Sequence, residues 1–281
     1  MEIREFLSNT ICSLADNGIE NAGFEARQLL EFAGIDRMTM LTEPNGEVPE
    51  ELGEHVTRLV EKRVSGYPLQ YLLGEWEFYG LPFRVGEGVL IPRQDTEVLA
   101  EVALDFLNTL PESERVALDL CAGSGCIGIT LAKLSRARVT LVEKSEKAFA
   151  YLKENIALNE VESLCNAVCG DVLDDSADFG EFSVIVSNPP YVTKAEMERL
   201  QREVRFEPEM ALFGGNDGLD FYRRLIPQYT KSLKDGGLLA VEIGDSQEHD
   251  VMDLFVQSGY SPLGAKDSGG FCRVVYAVKE K

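Results

Sequence analysis

The sequence predicts an α/β protein: a doubly wound, mostly parallel sheet preceded by a small helical domain. From residue 116 onward, short apolar runs alternate with amphipathic stretches, an order typical of parallel strands covered by helices on both faces. The first 74 residues instead carry apolar side chains at helical spacing and no strand-like run. A chain of 281 residues is long enough for one large and one small domain.

The N-terminal region contains three apolar stripes with helical periodicity. They span 3–14, 24–33 and 52–64, and Pro49 is placed in the first turn of the third helix. The intervening segment 39–46 predicts a loop or a short helix. Because the apolar stripes are all helical, we predict a helical domain over 1–74. No residue of this domain indicates a chemical role.

The composition of the next segment differs from that of the helical region. Aromatic residues and a Gly-Leu-Pro break in 76–85 predict a β-hairpin, and we expect 75–88 to link the two domains. A helix follows over 98–107, and Asp95 or Thr96 is placed to cap its N-terminus. The large domain that contains the parallel sheet is then predicted over 89–281.

Six strands and four further helices are predicted after residue 115. The strands cover 116–120, 139–143, 166–171, 182–186, 238–243 and 271–278, and the helices cover 127–134, 146–159, 219–233 and 249–257. The Asp-Gly-Gly run at 235–237 is expected to close the helix 219–233 with left-handed geometry.

The composition excludes several classes of protein. A net charge of −21 argues against tight, non-specific binding to a phosphate backbone and favours a basic protein as any macromolecular partner. No apolar run approaches the about 18 residues of a membrane span, and the first residues lack the layout of a signal peptide. We therefore expect a cytoplasmic protein with no membrane association.

The six cysteines are scattered through predicted strands, helices and loops, which indicates reduced thiols rather than a disulfide framework. Cys165 and Cys169 are close in sequence, but the chain has only two histidines and no second cysteine pair nearby. That pattern argues against a zinc site, and no metal is predicted.

Candidate ligand-binding residues lie at the predicted ends of four strands: Asp119, Glu143, Asp171 and Asn188. Ligands of open α/β sheets bind at the carboxyl ends of the strands, near the point where the strand order reverses. Glu143 is placed to accept hydrogen bonds from both hydroxyls of a ribose, and Asp171 to accept one from an adenine amino group. Together these residues predict a cofactor that contains a nucleoside.

The turn at 121–128 leaves two cofactors open. Gly123-x-Gly125-x-x-Gly128 matches the dinucleotide fingerprint, with Glu143 about 20 residues further on, so an NAD(P)-dependent oxidoreductase is one alternative. Asp119, just before the glycines, instead suits the positively charged amino acid end of S-adenosylmethionine. The absence of a histidine at any predicted strand end also favours S-adenosylmethionine.

The loop Asn188-Pro189-Pro190-Tyr191 follows a buried apolar strand. The prolines stiffen this loop and supply acceptors without donors, Asn188 adds a side-chain oxygen, and Tyr191 adds an aromatic face. Two acceptors and a ring suit a planar –NH2 group, although an ordinary Asn-Pro turn is the simpler alternative. We predict Asn188, Pro189 and Tyr191 as catalytic, and Pro190 with them as substrate-binding.

The motif Asp119-Leu120-x-x-Gly123-Ser124-Gly125 followed by Asn-Pro-Pro-Tyr resembles the class I S-adenosylmethionine-dependent methyltransferases that act on amino or amide nitrogen. Four further segments, 68–75, 77–83, 91–97 and 207–223, make nearly the whole chain similar to the peptide chain release factor glutamine methyltransferases. Departures from the family pattern are Cys121-Ala122 for the commoner Gly-Thr, Glu143 for Asp, and Gln94 for Pro.

This resemblance implies a seven-stranded Rossmann-like sheet and a substrate-docking role for 1–74. It implies methyl transfer from S-adenosylmethionine, leaving S-adenosylhomocysteine, to the glutamine amide of a Gly-Gly-Gln loop in release factors. The Asn188 side chain and the Pro189 carbonyl would each accept one amide N–H, while Tyr191 packs against the amide. The cofactor residues implied are Asp119, Cys121, Ala122, Gly123, Ser124, Gly125, Glu143, Asp171, Val172 and Asn188.

Three alternatives remain beside the oxidoreductase at this stage. The same chemistry could act on a glutamine of a ribosomal protein or on an adenine in nucleic acid, although the negative charge disfavours an enzyme that must hold a flipped base. A non-catalytic S-adenosylmethionine-binding module is the third, and the intact Asn-Pro-Pro-Tyr loop argues against it.

Overall fold

The computed structural model describes residues 1–174 and 179–280. The chain forms two units: Met1–Gly74 with Gln201–Phe206, and Glu75–Leu200 with Glu207–Lys281. The first unit is helical and the second contains the sheet. The segment 201–206, which the sequence places inside the second domain, therefore packs with the helical residues.

The helical unit confirms the three predicted stripes. Its helices are α1 (Ile3–Asp16), α2 (Ala22–Phe32), α3 (Arg37–Thr42), α4 (Glu50–Val64) and α5 (Leu69–Leu73). The apolar positions face inward, with Leu14, Ala26, Leu29, Leu30 and Val56 fully buried. The segment 39–46, left open between loop and helix, contributes the end of α3.

A buried ion cluster holds the segment 201–206 in this unit. The Arg63 guanidinium donates to Glu25 Oε2 at 2.5 Å and Oε1 at 3.0 Å, and to Glu203 Oε1 at 2.6 Å. Its side chain is only 3% exposed. Because an unpaired buried charge is costly, these two carboxylates are required partners for Arg63.

The second unit is a seven-stranded sheet with helices on both faces, as predicted. Its elements are β1 (Glu75–Phe78), β2 (Leu81–Arg84), α6 (Glu97–Asn108), β3 (Val116–Leu120), α7 (Cys126–Ser135), β4 (Arg138–Glu143), α8 (Glu146–Leu158), β5 (Cys165–Cys169), β6 (Phe182–Ser187), α9 (Lys194–Met197), α10 (Glu209–Leu212), α11 (Asp220–Tyr229), β7 (Leu233–Glu242), α12 (Glu248–Gln257), β8 (Leu263–Lys266) and β9 (Cys272–Val278).

The strand order is β5-β4-β3-β6-β7-β9-β8. Strands β5, β4, β3, β6 and β7 are parallel, and β9 is antiparallel to both of its neighbours. The chain runs from β3 outward through β4 and β5, and then returns to β6 on the other side of β3. The switch point therefore lies between β3 and β6, where their following loops meet.

The hairpin predicted as a linker, β1 with β2, packs inside the second unit. Phe78 and Phe83 are buried in the core that lies under α6 and α7. Asn155 of α8 fastens the hairpin, because its Nδ2 donates to the Arg84 carbonyl at 3.1 Å and its Oδ1 accepts from the Arg84 N–H at 2.6 Å.

The predicted helix 219–233 is too long. Helix α11 ends at Tyr229, a 3₁₀ turn covers Thr230–Ser232, and β7 begins at Leu233, which pairs with Phe182. Gly236 does have a positive φ of 77°, but it lies inside β7, where its N–H donates to the Lys279 carbonyl. The glycines therefore serve strand pairing with the end of β9 and do not cap a helix.

The sequence analysis missed β8, a four-residue edge strand whose residues are mostly exposed. Such a strand lacks the apolar alternation on which strand prediction depends. All six cysteines are free thiols. In the described part of the chain, no helix is long and apolar enough to cross a membrane, and no cluster of three metal-ligating side chains is present.

Candidate active site

A cavity of about 290 Å³ opens at the carboxyl ends of β3, β4 and β6. It brings together most of the site residues predicted from the sequence, namely Cys121, Ala122, Gly123, Ser124, Glu143, Asp171, Val172, Asn188 and Pro190. Four predicted residues do not line it: Asp119, Gly125, Pro189 and Tyr191. Three of the four strand-end residues, Glu143, Asp171 and Asn188, therefore line one cavity, and their binding and catalytic roles stay predictions.

The glycine-rich turn joins β3 to α7 along one wall of the cavity. Gly125 precedes the first residue of α7 with φ +82°, and a Cβ there would lie 2.4 Å from Leu152 Cδ1. A side chain at this position would therefore strain the left-handed turn and would displace the ends of the Leu152 and Ile129 side chains. Cys121 has a φ of 61°, in the left-handed region that disfavours residues other than glycine.

The Cys121 thiol lines the cavity without being a nucleophile. Burial and the neighbouring carboxylate of Glu143 raise the pKa of the thiol far above its ordinary value. The thiol consequently stays protonated near neutral pH, and only a thiolate would be reactive.

Asp119 is fully buried in β3 beneath the turn. Its Oδ2 accepts a hydrogen bond from the Gly128 N–H at 2.8 Å, which satisfies a free donor at the start of α7. Its Oδ1 has no partner among the described residues. Burial raises the pKa of this carboxyl to about 7, against the lowering effect of the Gly128 hydrogen bond.

Glu143, the last residue of β4, is held by two backbone groups. Its Oε2 accepts from the Gly123 N–H at 2.8 Å and its Oε1 from the Ser145 N–H at 2.6 Å. The carboxylate is largely buried and lines the cavity. Because a carboxylate has about four acceptor positions, each oxygen retains capacity for a further donor.

Asp171 lies two residues beyond β5. Its Oδ2 accepts from Lys144 Nζ at 2.8 Å and its Oδ1 from the Leu173 N–H at 2.9 Å. The Lys144 ammonium lowers the pKa of the carboxyl, which is therefore ionised near neutral pH. Lys144 also lines the cavity, so this wall carries an ion pair.

Asn188 begins the loop after β6 on the opposite side of the switch point. In the described part of the chain its side chain makes one hydrogen bond, from Nδ2 to Thr96 Oγ1 at 3.3 Å. That bond leaves Oδ1 as an acceptor on a residue that lines the cavity. Pro189 and Pro190 are buried, and their rings fix φ at both positions, so the backbone of the loop is stiff.

Tyr191 was predicted to pack against a substrate amide, and that role stays a prediction. In the structure its hydroxyl donates to Glu242 Oε1 at 3.3 Å. Burial and Glu242 together raise the pKa of the phenol, which stays protonated.

Gln247, which the sequence analysis did not single out, fixes the carbonyl end of the same loop. Its Nε2 donates to the Tyr191 carbonyl at 3.0 Å and to the Gly218 carbonyl at 3.3 Å. Its Oε1 accepts from the Gly244 N–H at 2.9 Å. All polar atoms of the buried amide are thus used, and the loop has little freedom to move.

Thr96 and Glu242 were also missed as site residues. Thr96 was predicted as a helix cap, but it makes no capping hydrogen bond to α6, and Asp95 lies in a 3₁₀ turn before it. The predicted position is confirmed, since Thr96 is the residue before α6, but its hydroxyl contacts Asn188 and makes no capping hydrogen bond. Glu242 could have been identified from the sequence, because it is a polar residue at the end of an apolar run.

The sheet, the glycine-rich turn and the strand-end acids define a methyltransferase domain. The family model described as "Methyltransferase small domain" matches residues 99–205, and the model "PrmC N-terminal domain" matches 5–74. A solved methyltransferase from Pyrococcus furiosus superposes with a TM-score of 0.54 at 20% identity, covering 81% of this chain and 98% of that one. That likeness supports the fold alone.

Two relatives narrow the class. A release factor glutamine methyltransferase from Geobacter sulfurreducens is 42% identical over 279 residues, covering 97% of this chain and 95% of the relative. One from Thermodesulfovibrio yellowstonii is 39% identical over 263 residues, covering 92% of each. The chain belongs to the family of release factor glutamine methyltransferases, as the sequence motifs indicated. The nicotinamide-dependent alternative is thereby excluded.

Proposed function

We propose that this protein transfers a methyl group from S-adenosylmethionine to the side-chain amide nitrogen of the glutamine in the Gly-Gly-Gln loop of a release factor. The observation that carries the proposal is Asn188: its Nδ2 is bound to Thr96, and its Oδ1 remains an acceptor at the cavity wall. The names of the relatives supply the substrate class.

The residues on the β3–β5 side of the cavity fit an aminoacyl nucleoside. Glu143 keeps acceptor capacity for two ribose hydroxyls, and the ionised Asp171 offers an acceptor for an adenine amino group, with Val172 as an apolar neighbour. Asp119 lies beneath the turn and does not line the cavity, but its unpartnered Oδ1 is a buried acceptor suited to a donor of the amino acid end. When bound, S-adenosylmethionine supplies a methyl group on a positively charged sulfur.

The β6 side of the cavity fits a primary amide. The amide nitrogen is a poor nucleophile because its lone pair is delocalised into the carbonyl. Asn188 Oδ1, at the cavity wall, and the carbonyl of the adjacent Pro189, a residue that does not itself line the cavity, would each accept one N–H. These two bonds orient the nitrogen and stabilise the positive charge that develops on it during transfer. Once methylated, the nitrogen releases one of its two protons to water, so this role needs no strong general base. Neither the Cys121 thiol nor the Tyr191 phenol is ionised to act as one.

The helical unit is proposed to bind the body of the release factor. It exposes Phe24, Phe32, Met38 and Leu41 and carries more acidic than basic side chains, which suits a protein partner with apolar and basic groups. Replacing Met38 and Leu41 together by serine should raise KM for the whole release factor and leave KM for a short Gly-Gly-Gln peptide unchanged. Equal effects on both substrates would contradict this docking role.

Release factors act on ribosomes, so the proposed location is the cytoplasm.

The proposal is tested by methyl transfer from labelled S-adenosylmethionine to a purified bacterial release factor. A matched release factor with the loop glutamine changed to alanine is the control. Label on the wild-type factor alone is the expected result. Label on both factors, or label on ribosomal proteins or RNA in preference to the release factor, would contradict the proposal.

A further inference from the structure

Thr96 occupies the residue before α6, where a threonine side chain ordinarily accepts a hydrogen bond from the first turn. It makes no such bond here. The residue is 2% exposed, it lines the cavity, and its Oγ1 accepts from Asn188 Nδ2 at 3.3 Å. The hydroxyl is therefore buried, turned away from its own helix, and in contact with the residue that we place against the substrate amide.

Glu242, the last residue of β7, is 3% exposed. Its Oε1 accepts from the Tyr191 hydroxyl at 3.3 Å. Burial raises the pKa of this carboxyl to about 7, and hydrogen bonding from Thr96 and from Tyr191 acts in the lowering direction. The Oε2 atom of Glu242 has no hydrogen-bond partner among the described residues, so it is a buried acceptor that remains open.

These contacts have a direction. When Glu242 is ionised, above about pH 7, it only accepts hydrogen bonds. Its Oε1 accepts the Tyr191 proton, and its unpartnered Oε2 is the acceptor open to the Thr96 proton. Once the Thr96 proton points at Glu242, the Thr96 oxygen offers only lone pairs to Asn188. The amide of Asn188 must then turn its NH2 group to Thr96 and its oxygen to the cavity.

We propose that Thr96 and Glu242 are positioning residues that fix which end of the Asn188 amide faces the substrate. A half-turn of this amide would present two N–H donors to the substrate –NH2 group, which is itself a donor. Neither residue is required to touch the substrate, because both act through Asn188. This inference rests on the proposed function and deepens it by explaining how the acceptor is held.

The test compares Thr96→Val with Thr96→Ser. Valine keeps the shape of threonine and removes the hydroxyl, whereas serine keeps the hydroxyl and removes a methyl group. With saturating cofactor and release factor, we expect the single-turnover rate of Thr96→Val to fall 10- to 100-fold. Thr96→Ser should restore most of that loss, and the affinity of both variants for S-adenosylhomocysteine should match the wild type.

A control isolates the loss of a buried hydroxyl as such. Thr10 in α1 is also buried, and its hydroxyl donates to the Phe6 carbonyl at 2.9 Å, remote in sequence from the site. Thr10→Val should leave the single-turnover rate unchanged. A rate loss equal to that of Thr96→Val would overturn the positioning role.

The NMR signal of the Asn188 side-chain amide provides a measurement that does not depend on catalysis. In protein labelled with ¹⁵N-asparagine, the Asn188 side-chain NH2 signal is assigned by its absence from Asn188→Ala. We expect this signal to shift and to exchange faster with solvent in Thr96→Val, and to stay near its wild-type position in Thr96→Ser. An unchanged signal in Thr96→Val would overturn the inference even if the wild type proved inactive on release factors.

Glu242→Gln provides a second variant that reaches the same amide by another route. Its side chain can donate to Thr96, which frees the Thr96 proton for Asn188 Oδ1 and favours the turned amide. The rate should fall, and the double variant with Thr96→Val should lose no more than the single Thr96→Val variant. Fully additive losses would show that the two residues act separately, and would overturn the proposal.

Discussion

The two sides of the cavity are built in different ways. On the β3–β5 side, Glu143 is held by the backbone N–H groups of Gly123 and Ser145. Asp171 is held by the Leu173 N–H and by the Lys144 ammonium. On the β6 side, Asn188 is held by Thr96, 92 residues away, and Tyr191 by Glu242, 51 residues away. A backbone N–H survives every substitution except proline, so the first side, apart from Lys144, should tolerate changes in its partner residues better than the second.

The largest effect is expected on the β6 side. Asn188→Ala removes one of the two acceptors and should lower turnover on the order of 10²- to 10³-fold, by analogy with the loss of one oxyanion-hole contact. Cofactor affinity should change little, because the variant leaves Glu143 and Asp171 intact. Single-turnover kinetics with a parallel titration of S-adenosylhomocysteine measure both quantities, and a near-normal rate would remove Asn188 from its proposed role.

The next effect tests the β3–β5 side. Glu143→Gln replaces one carboxylate oxygen by a donor that faces a backbone N–H, and it removes the charge that strengthens hydrogen bonds to the ribose. Cofactor affinity should fall roughly 10- to 100-fold, with turnover at saturating cofactor largely kept. Glu143→Asp, which restores a carboxylate, is the matched control for a titration by calorimetry. Loss of turnover with unchanged affinity would reverse the assignment of the two sides.

A smaller effect concerns stability. The pKa of Asp119 is raised to about 7 in the folded protein, mainly by burial and in part by Glu143, so the folded state holds this proton more tightly than the unfolded one. The stabilisation is complete below the unfolded pKa near 3.8 and is lost as pH rises through 7, by at most about 1.4 kcal/mol per pH unit. Without cofactor, the Tm of the wild type should therefore fall relative to Asp119→Asn between about pH 4 and pH 7 and run parallel to it above that range. Parallel Tm curves for the two proteins within that range would count against this account.

The smallest effect concerns the backbone of the turn. Cys121 adopts a left-handed φ of 61°, which costs a side-chain-bearing residue about 1–2 kcal/mol. Cys121→Gly should raise the free energy of unfolding by about 1 kcal/mol, a shift of a few degrees in Tm. Cys126→Gly, at the first residue of α7, should be destabilising instead. Calorimetric scans of both variants decide the point, and stabilisation by both would refute the role of φ.

Much of the fold and half of the site followed from the sequence. Apolar runs predicted the parallel strands, and because the ends of parallel strands share one edge, the residues Glu143, Asp171 and Asn188 could be placed together. The interpretation of Asp119 was less complete, since its contact with the Gly128 N–H depends on how α7 packs over β3.

The remaining half of the site could not be predicted in the same way. Thr96 looked like an ordinary helix cap, and nothing in the chain indicates that its hydroxyl points to a residue 92 positions later. The same holds for Gly236, whose positive φ was foreseen while its place in β7 depends on pairing with the far end of the chain. Local pattern predicts conformation, but side-chain contacts between distant segments come from the fold.

The central claim is that Asn188 Oδ1 and the Pro189 carbonyl hold the substrate amide. A crystal structure of the protein with S-adenosylhomocysteine and a Gly-Gly-Gln peptide tests it most directly. We predict that the glutamine amide nitrogen lies within hydrogen-bond distance, roughly 2.7–3.2 Å, of both oxygens. Asn188 Nδ2 should remain on Thr96 in that complex. A glutamine amide bound by other groups, or facing Asn188 Nδ2, would contradict the account.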